Sequence, residues 1–285
     1  ANGSLTMAVS AARSWRSNYL GSASFQTDDF AVDGAEMIEH FRTNVCVPNA
    51  WTSTRLYQQG SKHASCDSAY ASDYELRGAA FGGNTNHHHY HWQSIDFGVV
   101  MWWGHGADTW TQVGPNIAAD GVLFTNAHAS GLDNSHPSFL FPCSCNNGYP
   151  ETTNNLCVSV LRNGAIAALA PSRVTWAVNI KWLVSYLMYS DNASYNYHAA
   201  RRMIEQDEPI GDAINWLHAN ASVSYWQDSA LMNHFDFNIY GDPSVGLRTT
   251  GLRTLTVVSA HGGAWPGTVT ATNNAALFQA VTNSP

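Results

Sequence analysis

Lysine is almost missing from this chain: Lys62 and Lys181 are the two in 285 residues. Charged residues make up 12% of the sequence, half the usual ~25%. With 13 Lys and Arg against 21 Asp and Glu, the formal net charge is −8. A nucleic-acid partner is therefore not expected, because it would need a basic footprint. No basic run is available to hold an anionic membrane surface. No apolar stretch reaches the ~20 residues that span a bilayer as a helix, so membrane insertion is not expected. Internal repeats are absent too. The chain opens on Ala1 without a signal-peptide pattern, and a processed N-terminus is the expectation. Asn, Ser, Thr, Gly and Ala carry the polar surface in place of charge, a composition expected of a secreted protein.

Cysteine is scarce and odd in number: Cys46, Cys66, Cys143, Cys145 and Cys157. If the chain is secreted, four can pair and one stays free, and a Cys46–Cys66 bridge fits that scheme. The other reading is five buried free thiols. Cys143 and Cys145 are two apart on an expected strand and share a face, so they do not bridge each other.

Apolar content is ample for a core. Two short apolar runs stop abruptly at polar or glycine residues. Residues 97–103 (FGVVMWW) lead into Gly104-His105-Gly106, and residues 137–144 (PSFLFPCS) lead into Cys145-Asn146-Asn147-Gly148. Such runs read as buried strands meeting loops. In open α/β sheets chemistry gathers at the carboxyl ends of strands. A cysteine and a histidine delivered there suggest a thiol nucleophile with an imidazole base.

Along the rest of the chain, 16–25 reads as a strand with its exit loop. Asp33 caps a helix over 34–42, with Ala35, Met37, Ile38 and Phe41 at helical spacing. Residues 54–57 form a short strand. Residues 60–93 are polar and His-rich, giving a helix near 68–78 and then a long loop. Residues 107–135 make a long connection, with an apolar patch at 117–124. A helix over 155–162 stops at Asn163-Gly164, and 165–170 is a buried strand. Helices are expected over 178–189, 195–206 and 212–219, and a turn at 240–243. Strands alternating with helices imply a mostly parallel sheet covered on both faces. After residue 249 the pattern changes to alternating β with Gly and Pro turns. The expected domains are thus 1–249, an α/β layer structure, and 250–285, the start of a β-sandwich of Ig-like type.

Taken in order, these motifs resemble those of the gingipain-type (C25) cysteine peptidases. The resemblance rests on the strand ending Gly104-His105-Gly106, the strand ending Ser144-Cys145-Asn146-Asn147-Gly148 and a following helix. It continues through a strand of sequence AIAALAPS, then Val174-Thr175-Trp176, and last Tyr240-Gly241-Asp242-Pro243. It spans roughly residues 14–249 and implies a caspase-like αβα sandwich. It further implies Cys145 as nucleophile, His105 as general base and acid, and the N–H groups of Gly106 and Cys145 as the oxyanion hole. Trp176 matches an aromatic wall of the S1 pocket, and Asp33 lines up with the acid that pairs with a basic P1 side chain. Such pairing is bidentate and desolvated; a plain helix cap is the alternative for Asp33.

Two positions depart from the family pattern. Relatives often carry an acid near the end of the first strand, whereas this chain has Ser22-Ala23-Ser24-Phe25; Asp28 or Asp29 substitutes, or the site runs as a Cys-His dyad. Trp103 stands where Arg-specific members have a small residue, and so narrows or reshapes S1. The resemblance implies protein or peptide substrates and a secreted or cell-surface location. It implies no cofactor for the chemistry, although relatives commonly bind structural calcium. The acid-rich pairs Asp28-Asp29 and Asp207-Glu208 match no calcium-loop motif. Two rival functions share the sequence: a catalytically silent surface or filament component, attached through the C-terminal β segment, and a transpeptidase using the same acyl-enzyme. His87-His88-His89-Tyr90-His91 invites a metal reading, but no carboxylate or Cys stands at ligand spacing, so a solvated loop is expected there and no metal site is assigned. Asn192-Ala193-Ser194 and Asn220-Ala221-Ser222 fit glycosylation sequons.

Overall fold

Strand residues of this chain alternate strictly between two apolar clusters, which fixes the layering. The computed structural model describes residues 3–7, 14–25, 32–58, 68–78, 84–114, 121–177, 191–220, 228–247, 253–257, 268–271 and 278–281. They divide into two units, Ser14–Leu247 and a second made of Ala1–Arg13 with Arg248–Pro285. In the second unit, β1 (Gly3–Met7) pairs antiparallel with β11 (Arg253–Val257), and β12 (Thr268–Ala271) with β13 (Phe278–Val281).

The large unit holds a seven-stranded sheet. Its strands in chain order are β2 (Asn18–Ala23), β3 (Thr52–Gln58), β4 (Tyr74–Leu76), β5 (Val99–Trp103), β8 (Phe139–Cys143), β9 (Ala167–Pro171) and β10 (Phe237–Gly241). In space the order is β10-β9-β8-β5-β2-β3-β4. All neighbours are parallel except β10, which runs antiparallel along β9. Every residue of β5, β8 and β9 is buried, as parallel strands covered on both faces require. Tyr19, Ala23, Val99, Met101, Trp103, Phe139, Phe141, Cys143 and Leu169 face one cluster. Leu20, Val100, Trp102, Leu140, Ala168 and Ala170 face the other.

The first face is covered by α1 (Ala35–Phe41), α5 (Asn192–Glu205) and α6 (Ile210–Asn220). On α1, Ala35, Met37, Ile38 and Phe41 are buried, the set anticipated from spacing. The second face is covered by α2 (His88–Ser94), α3 (Asn126–Ala129) and α4 (Leu156–Arg162). Asn155 caps α4 by accepting from the Val158 N–H at 2.9 Å. A short hairpin, β6 (Trp110–Gln112) with β7 (Val122–Thr125), fills part of the long 107–135 connection. The last helix, α7 (Asp228–Asp236), leads into β10.

Some segments differ from expectation. Residues near 68–78 form β4 rather than a helix. Arg55 of β3 fixes that strand by bonding Asp73 (Nη2 to Oδ1, 2.8 Å), and Leu76 enters the core. The His-rich stretch is not a solvated loop: it is α2, with His88, His91 and Trp92 buried. His88 Nδ1 lies 2.7 Å from Ser22 Oγ, and its ring meets Trp102 edge-on at 5.3 Å. Burial drives its pKa well below the usual histidine range. A neutral imidazole packs as an aromatic ring, which polarity alone does not reveal. The helix expected over 178–189 lies outside the described residues.

Candidate active site

The strand order reverses direction at β2. From there the chain builds β3 and β4 to one side, and β5, β8, β9 and β10 to the other. Ligands of open α/β sheets bind at such a switch point, beyond the carboxyl ends of the strands. His105 follows β5 at that edge, and Cys145 follows its neighbour β8. Trp103 pairs with Cys143, and the Gly104 N–H donates to the Cys143 carbonyl at 3.1 Å. The two tips then converge. A Cβ placed on Gly106 would stand 2.7 Å from the Cys145 carbonyl oxygen, so glycine is what allows this approach.

Backbone bonds hold the cysteine turn from several sides. Asn146 adopts φ 57°, and its N–H donates to Arg173 O at 3.0 Å. The Gly148 N–H donates to Pro171 O at 2.9 Å, tying the turn to the end of β9. Buried Asn147 joins the two tips: its Nδ2 donates to Ala107 O at 2.8 Å, while its Oδ1 accepts from Ser144 Oγ and, at 3.3 Å, from Thr111 Oγ1. Ser144 Oγ in turn accepts from Trp102 Nε1–H at 3.0 Å. On the other tip, His105 O accepts from the Gln112 N–H at 3.0 Å. Neither the Gly106 nor the Cys145 N–H has a partner among the described residues.

Among the described cysteines, Cys145 is the half-buried one; Cys46, Cys143 and Cys157 are buried. Desolvation pushes all three buried thiols well up and keeps them protonated. Cys46 is a free thiol, so the anticipated bridge to Cys66 is not formed; Cys66 itself lies outside the described residues. Cys145 Sγ donates to Thr175 O at 3.5 Å and accepts from Thr175 Oγ1 at 3.8 Å. Thr175 thus cradles the sulfur, and sequence reasoning did not single it out.

The remaining site positions are distributed around this edge. Trp176 is 50% exposed, and its backbone is clamped by Asn233: N–H to Oδ1 at 2.9 Å, and Nδ2 to O at 2.8 Å. Trp103 is 1% exposed, and its ring lies so close over Gly34 that no side chain fits there. Both oxygens of the neighbouring Asp33 are occupied. Oδ1 accepts from the Ala35 N–H at 2.9 Å and Oδ2 from Ser68 Oγ at 2.6 Å, while burial raises its pKa against those bonds. Ser24 is buried, and its N–H and Oγ–H both donate to Trp103 O, at 3.0 and 3.1 Å. A neutral group therefore occupies the end of the first strand; Asp28 and Asp29 lie outside the described residues. Asn192 is 6% exposed as the first residue of α5, and so does not present a glycosylation acceptor. Among the described residues no group of three or more His, Cys, Asp or Glu is placed to hold a metal ion. No helix there is long and apolar enough to cross a membrane.

A half-buried thiol beside a histidine-bearing tip, with two unengaged N–H donors, is compatible with acyl transfer. Comparison with known proteins agrees. The family model of peptidase family C25 matches residues 5–248. The crystal structure of the Arg-specific cysteine proteinase gingipain R (RgpB) superposes with a TM-score of 0.53 at 17% identity, over 83% of this chain and 48% of that one. A complex of Porphyromonas gingivalis RgpB pro- and mature domains gives 0.55 at 16% identity, over 83% and 49%. The chain thus spans about half the length of these structures. At these identities the likeness shows a shared fold, the caspase-like layering of a mostly parallel sheet between helices. No match is found among curated protein sequences. The fold and the family match agree, and the chain belongs to peptidase family C25.

Proposed function

We propose that this chain is a cysteine endopeptidase that cuts after basic residues, using Cys145 and His105 as a dyad. The observation that carries the reading is the docking of the Cys145 turn on the His105-Gly106 tip. His105 takes the thiol proton as sulfur attacks the scissile carbonyl. The Gly106 and Cys145 N–H groups receive the oxyanion. His105 then returns the proton to the leaving amine, and water hydrolyses the thioacyl-enzyme with His105 again acting as base. Thr175 O, which accepts from the thiol, positions the sulfur in the resting state. Trp176 supplies an aromatic wall for the P1 side chain. Protein substrates, secretion or display at the cell surface, and attachment through 250–285 belong to the same reading.

The test is a panel of fluorogenic peptides varied at P1, under reducing conditions, with and without calcium. We expect cleavage after Arg or Lys that falls at least ~10³-fold in Cys145→Ala. Unchanged cleavage in that variant removes the reading. The closed contact between Trp103 and Gly34 and the neutral Ser24 favour one rival, a silent surface component. That rival is adopted if no peptide is cut by folded protein. Capture of the acyl group by added amines in place of water identifies a transpeptidase.

A further inference from the structure

We propose that Asp191, at the start of α5, is the acid that reads a basic P1 side chain, in place of Asp33. The proposal rests on the peptidase reading above and names a specificity residue for that site. Both oxygens of Asp33 are already engaged, by the Ala35 N–H and the Ser68 hydroxyl, and the Trp103 ring closes over the adjoining Gly34. Asp191 is 5% exposed and caps α5 with Oδ1, which accepts from the Ser194 N–H at 2.6 Å. Its Oδ2 is buried with no hydrogen-bond partner among the described residues. A buried carboxylate oxygen without a donor is costly, and native structures rarely keep one without a reason.

The neighbourhood links this oxygen to the nucleophile. Asn192, the next residue, donates its N–H to Trp176 O at 3.1 Å and its Nδ2 to Thr175 Oγ1 at 3.0 Å. Thr175 in turn holds Cys145 Sγ. Below them, Cys143 Sγ donates to Asn192 O at 3.9 Å, and Asp191 is close enough to Cys143 to raise its pKa. Asn192 Oδ1 and Asn196 Oδ1 are also buried without partners. Three acceptor oxygens in the first turns of α5, those of Asp191, Asn192 and Asn196, are therefore buried without a hydrogen-bond partner among the described residues. Acceptors of this kind suit a cation with several N–H groups, and a guanidinium fits better than an ammonium. Burial raises the Asp191 pKa to about 6; a cation entering the cluster would offset that cost.

The test uses two probes that label the catalytic thiol, peptidyl chloromethyl ketones with P1 Arg and P1 Leu, read by intact mass. Iodoacetamide serves as a control for a competent Cys145. The wild-type chain should favour the Arg probe, and Asp191→Asn, which keeps the cap but not the charge, should lower the Arg-over-Leu ratio about tenfold or more. Its iodoacetamide rate and thermal midpoint should show no loss. A ratio undiminished in Asp191→Asn overturns the proposal, as does a ratio that Asp33→Asn abolishes. Labelling without any basic preference overturns it too. If Cys145 resists both probes and iodoacetamide in folded protein, the peptidase reading itself fails and takes the proposal with it.

Discussion

Two helices on the same face of the sheet begin with an aspartate, and the two starts are built differently. Asp33 precedes α1 and Asp191 precedes α5; each accepts from a backbone N–H in the first turn. At Asp33 the second oxygen takes a serine hydroxyl, and the next residue is a glycine under a tryptophan. At Asp191 the second oxygen is left over, and the next residue is an asparagine linked to Cys145 through Thr175. Capping is a local property that any helix start can use. What separates the two is hydrogen-bonding capacity remaining after the cap is made. A completed cap stabilises; an incomplete one in a dry place carries a cost that a proton or a bound cation would offset.

That contrast can be broken in three ways, in decreasing order of expected effect. Asp191→Asn should stabilise the unliganded protein at pH 7. A folded pKa of about 6, above the ordinary carboxylate value of 3.8, means the folded state holds this proton more tightly than the unfolded one. The stability from that proton is fully present below about pH 4 and is lost as pH rises through 6. The gain on removing the charge is then on the order of 2–3 kcal/mol at pH 7, and urea denaturation at pH 7 and pH 4 should show it in the first and not in the second. Gly34→Ala should destabilise by ~1–3 kcal/mol, because the added methyl meets the Trp103 ring. Trp103→Phe in the same chain should recover part of the loss, seen as a return of the urea midpoint. Asp33→Ala removes only a cap and its serine bond and should cost about 1 kcal/mol; a melting curve at neutral pH checks it.

Much of the architecture was legible in sequence. The runs before His105 and Cys145 are β5 and β8, buried throughout, because parallel strands covered on both faces have nowhere to show polarity. The Asp33 cap and the buried face of α1 follow from local rules that the fold does not override. The His-rich helix did not follow, since neutral imidazoles beside Trp102 and Phe124 behave as aromatic surface. Apolar spacing alone starts α5 at 195 rather than 192, because Asn192 reads as part of a sequon. The capping order Asp191-Asn192-Ala193-Ser194 was the available signal. Thr175 and Asn147 act through side-chain bonds to a neighbouring turn, relations that exist only once β8 lies beside β9 for Thr175 and beside β5 for Asn147.

The Asn233 clamp on Trp176 has a consequence for how a substrate would be met. Both backbone groups of that residue are held by one buried amide, so its main chain is ordered when the protein folds. The exposed indole is then free in two side-chain torsions and nothing else. Contact with an incoming chain would restrict those two rotations rather than freeze a loop, and ordering a loop is among the larger entropic losses on binding. As the proposed pocket wall, Trp176 would be a hinged panel on a fixed post.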